Sequence, residues 1–267
     1  MLICPVCKNI ITKFEKAYKC ENNHCFDLHK SGYVNLLLAN RMNSKAPGDN
    51  KIMVEARRSF LSNGYYNCLL LALNKTIDEI NPQTILDSGC GEGYYTNYIN
   101  KENRRIFGID ISKTAVGYAA KSNSLVDYFV GSVFDIPIMN NSIDLVMSLF
   151  APYSGAEFLR VLKPDGHLVM VIPGRDHLIE LKNTIYENPY ENDVKDYKLD
   201  GFSYDNSTEI KEKIIVNNKA DIDNLFKMTP YYYRTKKEDY EKILQLETLE
   251  ITLNFEILVY SVYKNKE

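Results

Sequence analysis

Cysteines near the start of the chain are spaced as metal ligands. Four of the six cysteines lie within the first 25 residues. The candidate ligands are Cys4, Cys7, Cys20, His24, Cys25 and, with less suitable spacing, His29. Paired thiolates on tight turns, separated by a short excursion of the chain, can surround a zinc ion tetrahedrally. We therefore predict a structural Zn²⁺ site on Cys4, Cys7 and Cys20, with the adjacent His24 or Cys25 as fourth ligand.

A second set of residues with chemical potential follows a predicted strand at residues 84–87. Gly89, Gly91 and Gly93 recur at alternate positions before a predicted helix. Glycines allow a sharp turn and let a ligand approach the backbone, as nucleotide-binding loops require. This Gly-x-Gly-x-Gly pattern differs from the Gly-x-Gly-x-x-Gly of dinucleotide folds.

Acidic residues in and beside this loop indicate which ligand it accepts. Asp87 and Glu92 would repel the pyrophosphate that a dinucleotide places at the helix start, and they suit a cationic cofactor instead. Asp110 ends the next predicted strand, where a carboxylate can accept hydrogen bonds from both ribose hydroxyls. Alternatively Asp110 caps the following helix, a role that Ser112 can also fill. The pattern predicts S-adenosylmethionine as the cofactor.

The elements that must hold these residues alternate between strand and helix. Apolar runs at residues 84–87, 106–110, 126–130, 143–147 and 167–172 read as strands with helical segments between most of them. Such alternation with short connections predicts an α/β fold with a doubly wound sheet. Two further β-rich runs, 246–253 and 255–262, are expected to pair antiparallel at the sheet edge.

The chain divides into three predicted parts. Residues 1–37 form a small zinc-binding module that needs its metal to fold, because so short a unit has little core. Residues 38–58 read as a linker, with a helical pattern starting near residue 52, and residues 59–267 form the cofactor-binding domain. The polar stretch 184–220 is expected to be a lid insertion over the ligand cleft.

Charge is distributed unevenly between these parts. Residues 1–60 carry ten Lys or Arg and five Asp or Glu, a net charge of +5, whereas the remainder carries −8. A basic head can steer the module toward a polyanion, although ordinary surface variation gives the same pattern. The sequence contains no apolar run of the length of a membrane span and no apparent secretory signal, so we expect a cytoplasmic protein without membrane contact.

Taken together, these motifs resemble known families. The Asp-x-Gly-x-Gly-x-Gly loop, the acid after the second strand and Leu-Lys-Pro-Asp-Gly at 162–166 resemble class I, Rossmann-like methyltransferases. With the zinc module in front, the chain resembles the RlmA family of 23S rRNA guanine-N1 methyltransferases. The shared segments are Cys-Pro-x-Cys at 4–7, Gly-Tyr-Val-Asn-Leu-Leu at 32–37, Pro-Gly-Asp at 47–49, Ala-Arg-Arg-x-Phe-Leu at 56–61, residues 87–95, Ala-Pro at 151–152, Pro-Gly at 173–174 and Met-Thr-Pro at 228–230.

The resemblance carries specific implications. It implies methyl transfer to N1 of a guanine in a 23S rRNA hairpin (hairpin 35, guanine 745 or 748), with the zinc module recognising RNA, and it leaves a homodimer open. It implies His24 as the fourth zinc ligand. It maps the cofactor contacts onto Tyr66, Gly93, Tyr94 and His177.

Some assignments stay open on the sequence. Lys8, Lys13 and Arg57 are candidate RNA contacts, and Tyr153 either stacks on a base or packs beneath its loop. No residue is singled out as a catalytic base. The alternative functions are a zinc-containing RNA-binding or antibiotic-resistance factor with little catalysis, or a methyltransferase acting on a small molecule or a protein.

Overall fold

The computed structural model describes residues 1–39, 48–189, 191–192 and 197–263. Its N-terminal part is a small antiparallel sheet of three strands, β1 (Thr12–Phe14), β2 (Ala17–Lys19) and β3 (Cys25–Asp27). A fourth short strand, β4 (Val34–Asn35), leaves this module and joins the large sheet. The zinc module and the main domain therefore share hydrogen-bonded structure.

The main domain is built on strands and helices in alternation. Its strands are β5 (Thr84–Ser88), β6 (Arg105–Asp110), β7 (Asp127–Val130), β8 (Ile143–Leu149), β9 (Leu162–Pro173), β10 (Phe202–Val216) and β11 (Leu249–Val262). Its helices are α1 (Lys51–Ser62), α2 (Asn67–Ile80), α3 (Tyr94–Tyr98), α4 (Lys113–Ser122), α5 (Gly155–Val161), α6 (Ile179–Ile185), α7 (Lys219–Lys227) and α8 (Lys237–Leu244), with a 3-10 helix at Pro230–Tyr233.

The eight-stranded sheet has the order β10-β11-β9-β8-β5-β6-β7-β4. Strands β4 to β9 run parallel, and β11 is antiparallel to both of its neighbours. The order reverses between β5 and β8, and ligands of open α/β sheets bind at the carboxyl edge beside such a reversal. This arrangement confirms the predicted α/β class I sheet.

Two hydrophobic clusters cover the two faces of the sheet. Adjacent strand residues alternate between the clusters, as Ile85 and Leu86 do, because side chains of a strand point to opposite faces. One face is covered by all the helices except α5. The other face is covered by α5 and by the zinc module, whose Leu2 and Tyr18 are buried in the same cluster as Phe107. The module thus takes the place of a helix against the sheet.

The structure departs from the sequence expectation at the predicted linker, residues 38–58. Helix α1 begins at Lys51, inside that range, because the Asn50 side chain accepts a hydrogen bond from the Met53 N–H at 3.0 Å and caps the helix. Residues 40–47, with Pro47 of the shared Pro-Gly-Asp segment, lie outside the described residues.

The predicted lid over 184–220 is also different in the structure. Residues 202–216 form β10, which pairs with β11 along its length and closes the sheet edge. Its side chains are mostly exposed, so its polar sequence gave no core pattern to identify it as a strand. Residues 190 and 193–196 of that range lie outside the described residues.

The two closing β-rich runs, 246–253 and 255–262, are one strand rather than two. β11 passes through the fully buried Asn254, and it pairs antiparallel with β9 and with β10. None of the helices in the described residues is long and apolar enough to cross a lipid bilayer.

Candidate metal centre and cofactor site

Four side chains of the N-terminal module converge on one point. Ligand atoms of Cys4, Cys7, Cys20 and His24 all lie within 4.8 Å of one another. The His24 Nδ1 is 3.5 Å from the Cys4 Sγ and 3.4 Å from the Cys20 Sγ, and the Sγ atoms of Cys7 and Cys20 are 3.7 Å apart. In a tetrahedron with Zn–S bonds of about 2.3 Å and Zn–N bonds of about 2.0–2.1 Å, ligand atoms are about 3.5–3.8 Å apart. The observed spacing fits zinc.

Local backbone geometry brings these ligands together. Each ligand pair sits on a turn containing a non-glycine residue in the left-handed region, Lys8 with φ 63° and Asn23 with φ 63°. A hydrogen bond from the Asn9 backbone lowers the pKa of the Cys7 thiol to about 6, which favours the thiolate that zinc binds. Cys25 lies on β3 and is exposed, outside the cluster, so the geometry selects His24 among the two adjacent candidates.

The glycine loop between β5 and α3 lies at the carboxyl edge of the sheet. Gly89, Gly91 and Gly93 have φ of 84°, 55° and 83°, a backbone region that favours glycine. A Cβ at Gly89 would lie 2.4 Å from the Ala151 Cβ, and one at Gly93 would lie 2.8 Å from the Ala119 Cβ. These two glycines permit close packing. A Cβ at Gly91 would meet nothing within 4 Å, so this glycine faces open space that a ligand can fill.

Three buried carboxyl groups surround this loop. Asp87 is 2% exposed and Glu92 is 8% exposed. Burial raises the pKa of Asp87 to about 7 and the pKa of Glu92 to about 7, and burial likewise raises the pKa of Asp110. Within the described part of the chain none of the three forms an ion pair. Such a cluster favours a cationic ligand, because removing carboxylates from water without a counter-charge is costly.

The acid at the end of β6 is fixed by backbone donors. The Asp110 carboxylate accepts hydrogen bonds from the Gly91 N–H at 3.0 Å and the Ser112 N–H at 2.8 Å. Ser112, not Asp110, caps α4, because its hydroxyl accepts from the Ala115 N–H. The Asp110 carboxylate therefore bridges the glycine loop and the start of α4, and each oxygen keeps a lone pair for a further donor.

Hydroxyl groups near the loop lack partners within the described protein. The Oγ atoms of Ser88 and Ser148, in β5 and β8, and the Tyr95 Oη in α3 are buried without a hydrogen bond to another described residue. Buried polar groups are normally hydrogen-bonded, so unsatisfied hydroxyls in one region indicate a place for an external polar ligand. Together with the open space at Gly91, they fit an adenosyl-methionine ligand.

An aromatic group borders the loop on the side of β11. The Tyr66 ring lies 6.1 Å from the His177 ring and 4.9 Å from the Phe255 ring, and the His177 and Phe255 centroids are 4.6 Å apart. Tyr94, at the start of α3, donates a hydrogen bond from its hydroxyl to the Asn67 Oδ1 at 3.2 Å. Of the family's cofactor contacts, Tyr66 and His177 meet in this group, while Gly93 and Tyr94 lie on the loop itself.

His177 is held as a neutral ring. Its Nδ1 accepts a hydrogen bond from the Asn254 backbone N–H at 3.3 Å, which assigns the ring proton to Nε2. Burial lowers the pKa of His177 to about 3. The ring is therefore a donor through Nε2 and a poor proton acceptor, which opposes a role as general base.

Sequence reasoning missed the two residues of β11 that organise this region. Phe255 contacts both Tyr66 and His177, and Asn254 holds the loop before α6 by accepting from the Asp176 N–H at 3.2 Å and donating from its backbone to His177. No motif marks them. Their position follows from the antiparallel register of β11 on β9, in which Phe255 pairs with Pro173.

Comparison with known proteins agrees with this geometry. The family model of the RlmA N-terminal zinc ribbon matches residues 2–45, and a methyltransferase domain model matches residues 86–170. A 23S rRNA (guanine(748)-N(1))-methyltransferase from Streptomyces fradiae is 33% identical over 191 residues, covering 69% of this chain and 67% of that protein. The Bacillus subtilis protein YxjB is 30% identical over 276 positions, covering 97% of this chain and 96% of that protein. The YcgJ structure from Bacillus subtilis, at 16% identity and a TM-score of 0.50, covers 73% of this chain and 98% of its own and supports the fold alone.

The sheet order, the glycine loop and the acid at the end of β6 define a class I methyltransferase that uses S-adenosylmethionine and carries a structural zinc ribbon. The chain belongs to the RlmA family.

Zinc content tests the ligand set through two neighbouring positions. We expect one zinc ion per chain in the wild type and a large loss of zinc in His24→Ala, because three ligands no longer close the tetrahedron. Cys25→Ser is the matched control and should keep its zinc, since this thiol lies outside the cluster. Metal analysis of purified, dialysed protein measures both. Zinc loss in the Cys25 variant with retention in the His24 variant would reverse the assignment.

Cofactor affinity should depend on pH because bound cation favours ionised carboxylates. The folded protein holds the pKa of Asp87 and of Glu92 at about 7, so affinity for S-adenosylmethionine is full above that pH and weakens as pH falls through it. Calorimetry from about pH 7.5 down to about pH 5.5 should show the dissociation constant rising up to about tenfold per pH unit for each carboxyl that must ionise. Glu92→Gln should flatten this dependence. An affinity that is constant over the range would contradict the electrostatic account.

Proposed function

We propose that this chain transfers a methyl group from S-adenosylmethionine to N1 of a guanine in a 23S rRNA hairpin, with the zinc module contacting the RNA. Membership of the RlmA family and the name of the Streptomyces fradiae relative support this substrate. An rRNA substrate also implies a cytoplasmic site of action. The structural observation that carries the proposal is the continuity between the zinc module and the catalytic edge of the sheet.

That continuity comes from β4. Val34 and Asn35 pair in parallel with Phe129 and Val130 of β7, so the chain leaves the zinc module at the same sheet edge as the glycine loop. Parallel neighbours place their carboxyl ends together. A substrate that contacts the end of the zinc module is thereby brought to the cofactor side of the sheet, as a large polymer such as RNA would be.

A groove lies at this junction. It has a volume of about 500 Å³ and is lined by Asp27, Leu28, His29, Lys30, Tyr33, Asn35 and Lys113. The exposed His29 ring stacks on the buried Tyr33, with centroids 4.5 Å apart and an interplanar angle of 24°. Stacked aromatic rings beside lysines suit an unpaired nucleotide, whose base stacks and whose phosphate takes the positive charge.

The groove lysines suit RNA contact better than two of the basic residues singled out on the sequence. Lys8 forms an ion pair with Asp135 at 2.9 Å, and Arg57 forms one with Asp49 and also donates to the Met228 carbonyl. Their charges are used within the fold. Lys30 and Lys113 have no ion-pair partner among the residues that the structure describes, and both are exposed.

The cofactor, when bound, supplies a methyl group on a sulfonium sulfur that an in-line nucleophile can displace. The residues of this chain contribute by holding charge and geometry. Asp87 and Glu92 favour the cation through their buried carboxylates, and Asp110 offers an acceptor fixed by two backbone N–H groups. His177 offers a neutral N–H donor and takes no proton from the base, because its pKa lies near 3.

Methylation of isolated rRNA tests the proposal. Zinc-loaded protein should transfer labelled methyl groups to 23S rRNA from cells that lack this activity, and mass mapping should find 1-methylguanine at one hairpin guanine. Lys30→Glu combined with Lys113→Glu should raise the KM for RNA and make RNA binding less salt-dependent, because phosphate contacts release counterions. Reversing Lys75 and Lys242, on α2 and α8, is the matched control and should leave both quantities near the wild-type values.

Three results would count against the proposal. Absence of transfer to 23S rRNA by folded protein that binds S-adenosylmethionine would exclude the substrate, and transfer to a small molecule or a protein instead would replace it. RNA binding without any methyl transfer would favour a non-catalytic binding factor. Unchanged RNA binding in the Lys30 and Lys113 variant would reject the groove while leaving the reaction standing.

A further inference from the structure

The residue that follows β8 has an unfavourable backbone. Phe150 has φ of 54°, in the left-handed region, where a bulky side chain is rare and strained. Its N–H donates to the Val171 carbonyl at 3.0 Å, so the chain is still tied to β9 at this point. The backbone is held in a conformation for which glycine would be the natural residue.

The Phe150 side chain is also unusually accessible. The preceding strand residues Met147, Ser148 and Leu149 are buried, whereas Phe150 is 48% exposed. Among the exposed large hydrophobic side chains of the described residues, Phe150 combines exposure with a left-handed backbone. The fold therefore holds a strained backbone in order to present an aromatic ring, and it does not bury that ring for stability.

The ring stands between the aromatic group of the cofactor site and the solvent. Its centroid lies 5.8 Å from that of the fully buried Phe255, which contacts Tyr66 and His177. The next residue, Ala151, packs so closely on the glycine loop that a Cβ at Gly89 would lie 2.4 Å from its Cβ. Phe150 is thus fixed beside the loop that receives the cofactor, with one side supported and another open.

A second aromatic residue nearby does not offer a comparable surface. Tyr153, the stacking candidate on the sequence, packs edge-on against the buried Phe158 at 5.6 Å and belongs to the cluster on the opposite face of the sheet. Its packing reading on the sequence describes this geometry. The aromatic surface at the end of β8 is that of Phe150.

We propose that Phe150 is the ring on which the target guanine stacks, holding its N1 edge toward the cofactor. The assignment rests on the proposed function, since it takes an RNA base as the substrate. Bases taken out of their own stack are bound on aromatic side chains, and such stacking is sequence-tolerant, because every base has a π face. The strained backbone supplies a ring direction that a relaxed residue at the end of the strand would not give.

Substitutions at this position separate binding from stability. Phe150→Gly removes the ring and relieves the backbone, so its melting temperature should equal or exceed that of the wild type and should exceed that of Phe150→Ala. In the same variant, kcat/KM for the hairpin RNA should fall by roughly 5- to 150-fold, the loss that one stacked base corresponds to. Phe150→Tyr should restore most of the activity. Affinity for S-adenosylmethionine, measured by calorimetry, should stay within about twofold in all three variants.

The matched control is Leu125→Ala, which removes an 80% exposed apolar side chain at the amino end of β7, at the opposite sheet edge. It should leave kcat/KM unchanged. Wild-type kcat/KM in Phe150→Gly would overturn the stacking assignment, as would a lower melting temperature together with weakened cofactor binding, since those changes would mark a structural ring. If the wild-type protein itself does not methylate the hairpin, the proposed function fails and the stacking assignment fails with it. If the wild type is active and only the Phe150 variants behave like it, the assignment alone fails.

Discussion

The structure depends on carboxyl groups that are buried without a counter-charge. Asp87, Glu92 and Asp110 meet around the loop that connects β5 to α3, and burial raises the pKa of each. A folded protein tolerates this arrangement when a bound cation completes it, because the cation restores the electrostatic stabilisation that water provided. The same carboxylates exclude a pyrophosphate. One electrostatic constraint therefore selects the cofactor and sets the chemistry of the domain.

The zinc ribbon is joined to this site through the sheet. Because β4 extends the parallel sheet beside β7 and the module packs on a face of that sheet, metal binding and cofactor binding share one scaffold. A small unit with little core gains stability from its metal, and here it also gains it from burial against the main domain. The arrangement gives the module a fixed position from which it can present RNA to the cofactor.

The sequence predicted those parts of the site that lie on local motifs. The cysteine spacing predicted the zinc module, and the glycines with Asp87 and Asp110 predicted a loop at the end of a strand, because such positions follow from chain order alone. The structure added Phe255 and Asn254, which reach the loop only through the register of a strand more than 140 residues further along the chain. It also replaced the expected lid by β10, because an edge strand with exposed side chains has no apolar alternation to read. The strain at Phe150 is a backbone property, and no residue pattern reports it.

The central claim is that the glycine loop accepts a cationic adenosyl ligand and rejects a pyrophosphate. Titration calorimetry of the zinc-loaded protein with S-adenosylmethionine and, separately, with NAD measures this directly. The account predicts saturable binding of S-adenosylmethionine at one site per chain and no measurable binding of NAD. Binding of NAD, or failure of S-adenosylmethionine to bind to the folded protein, would contradict it.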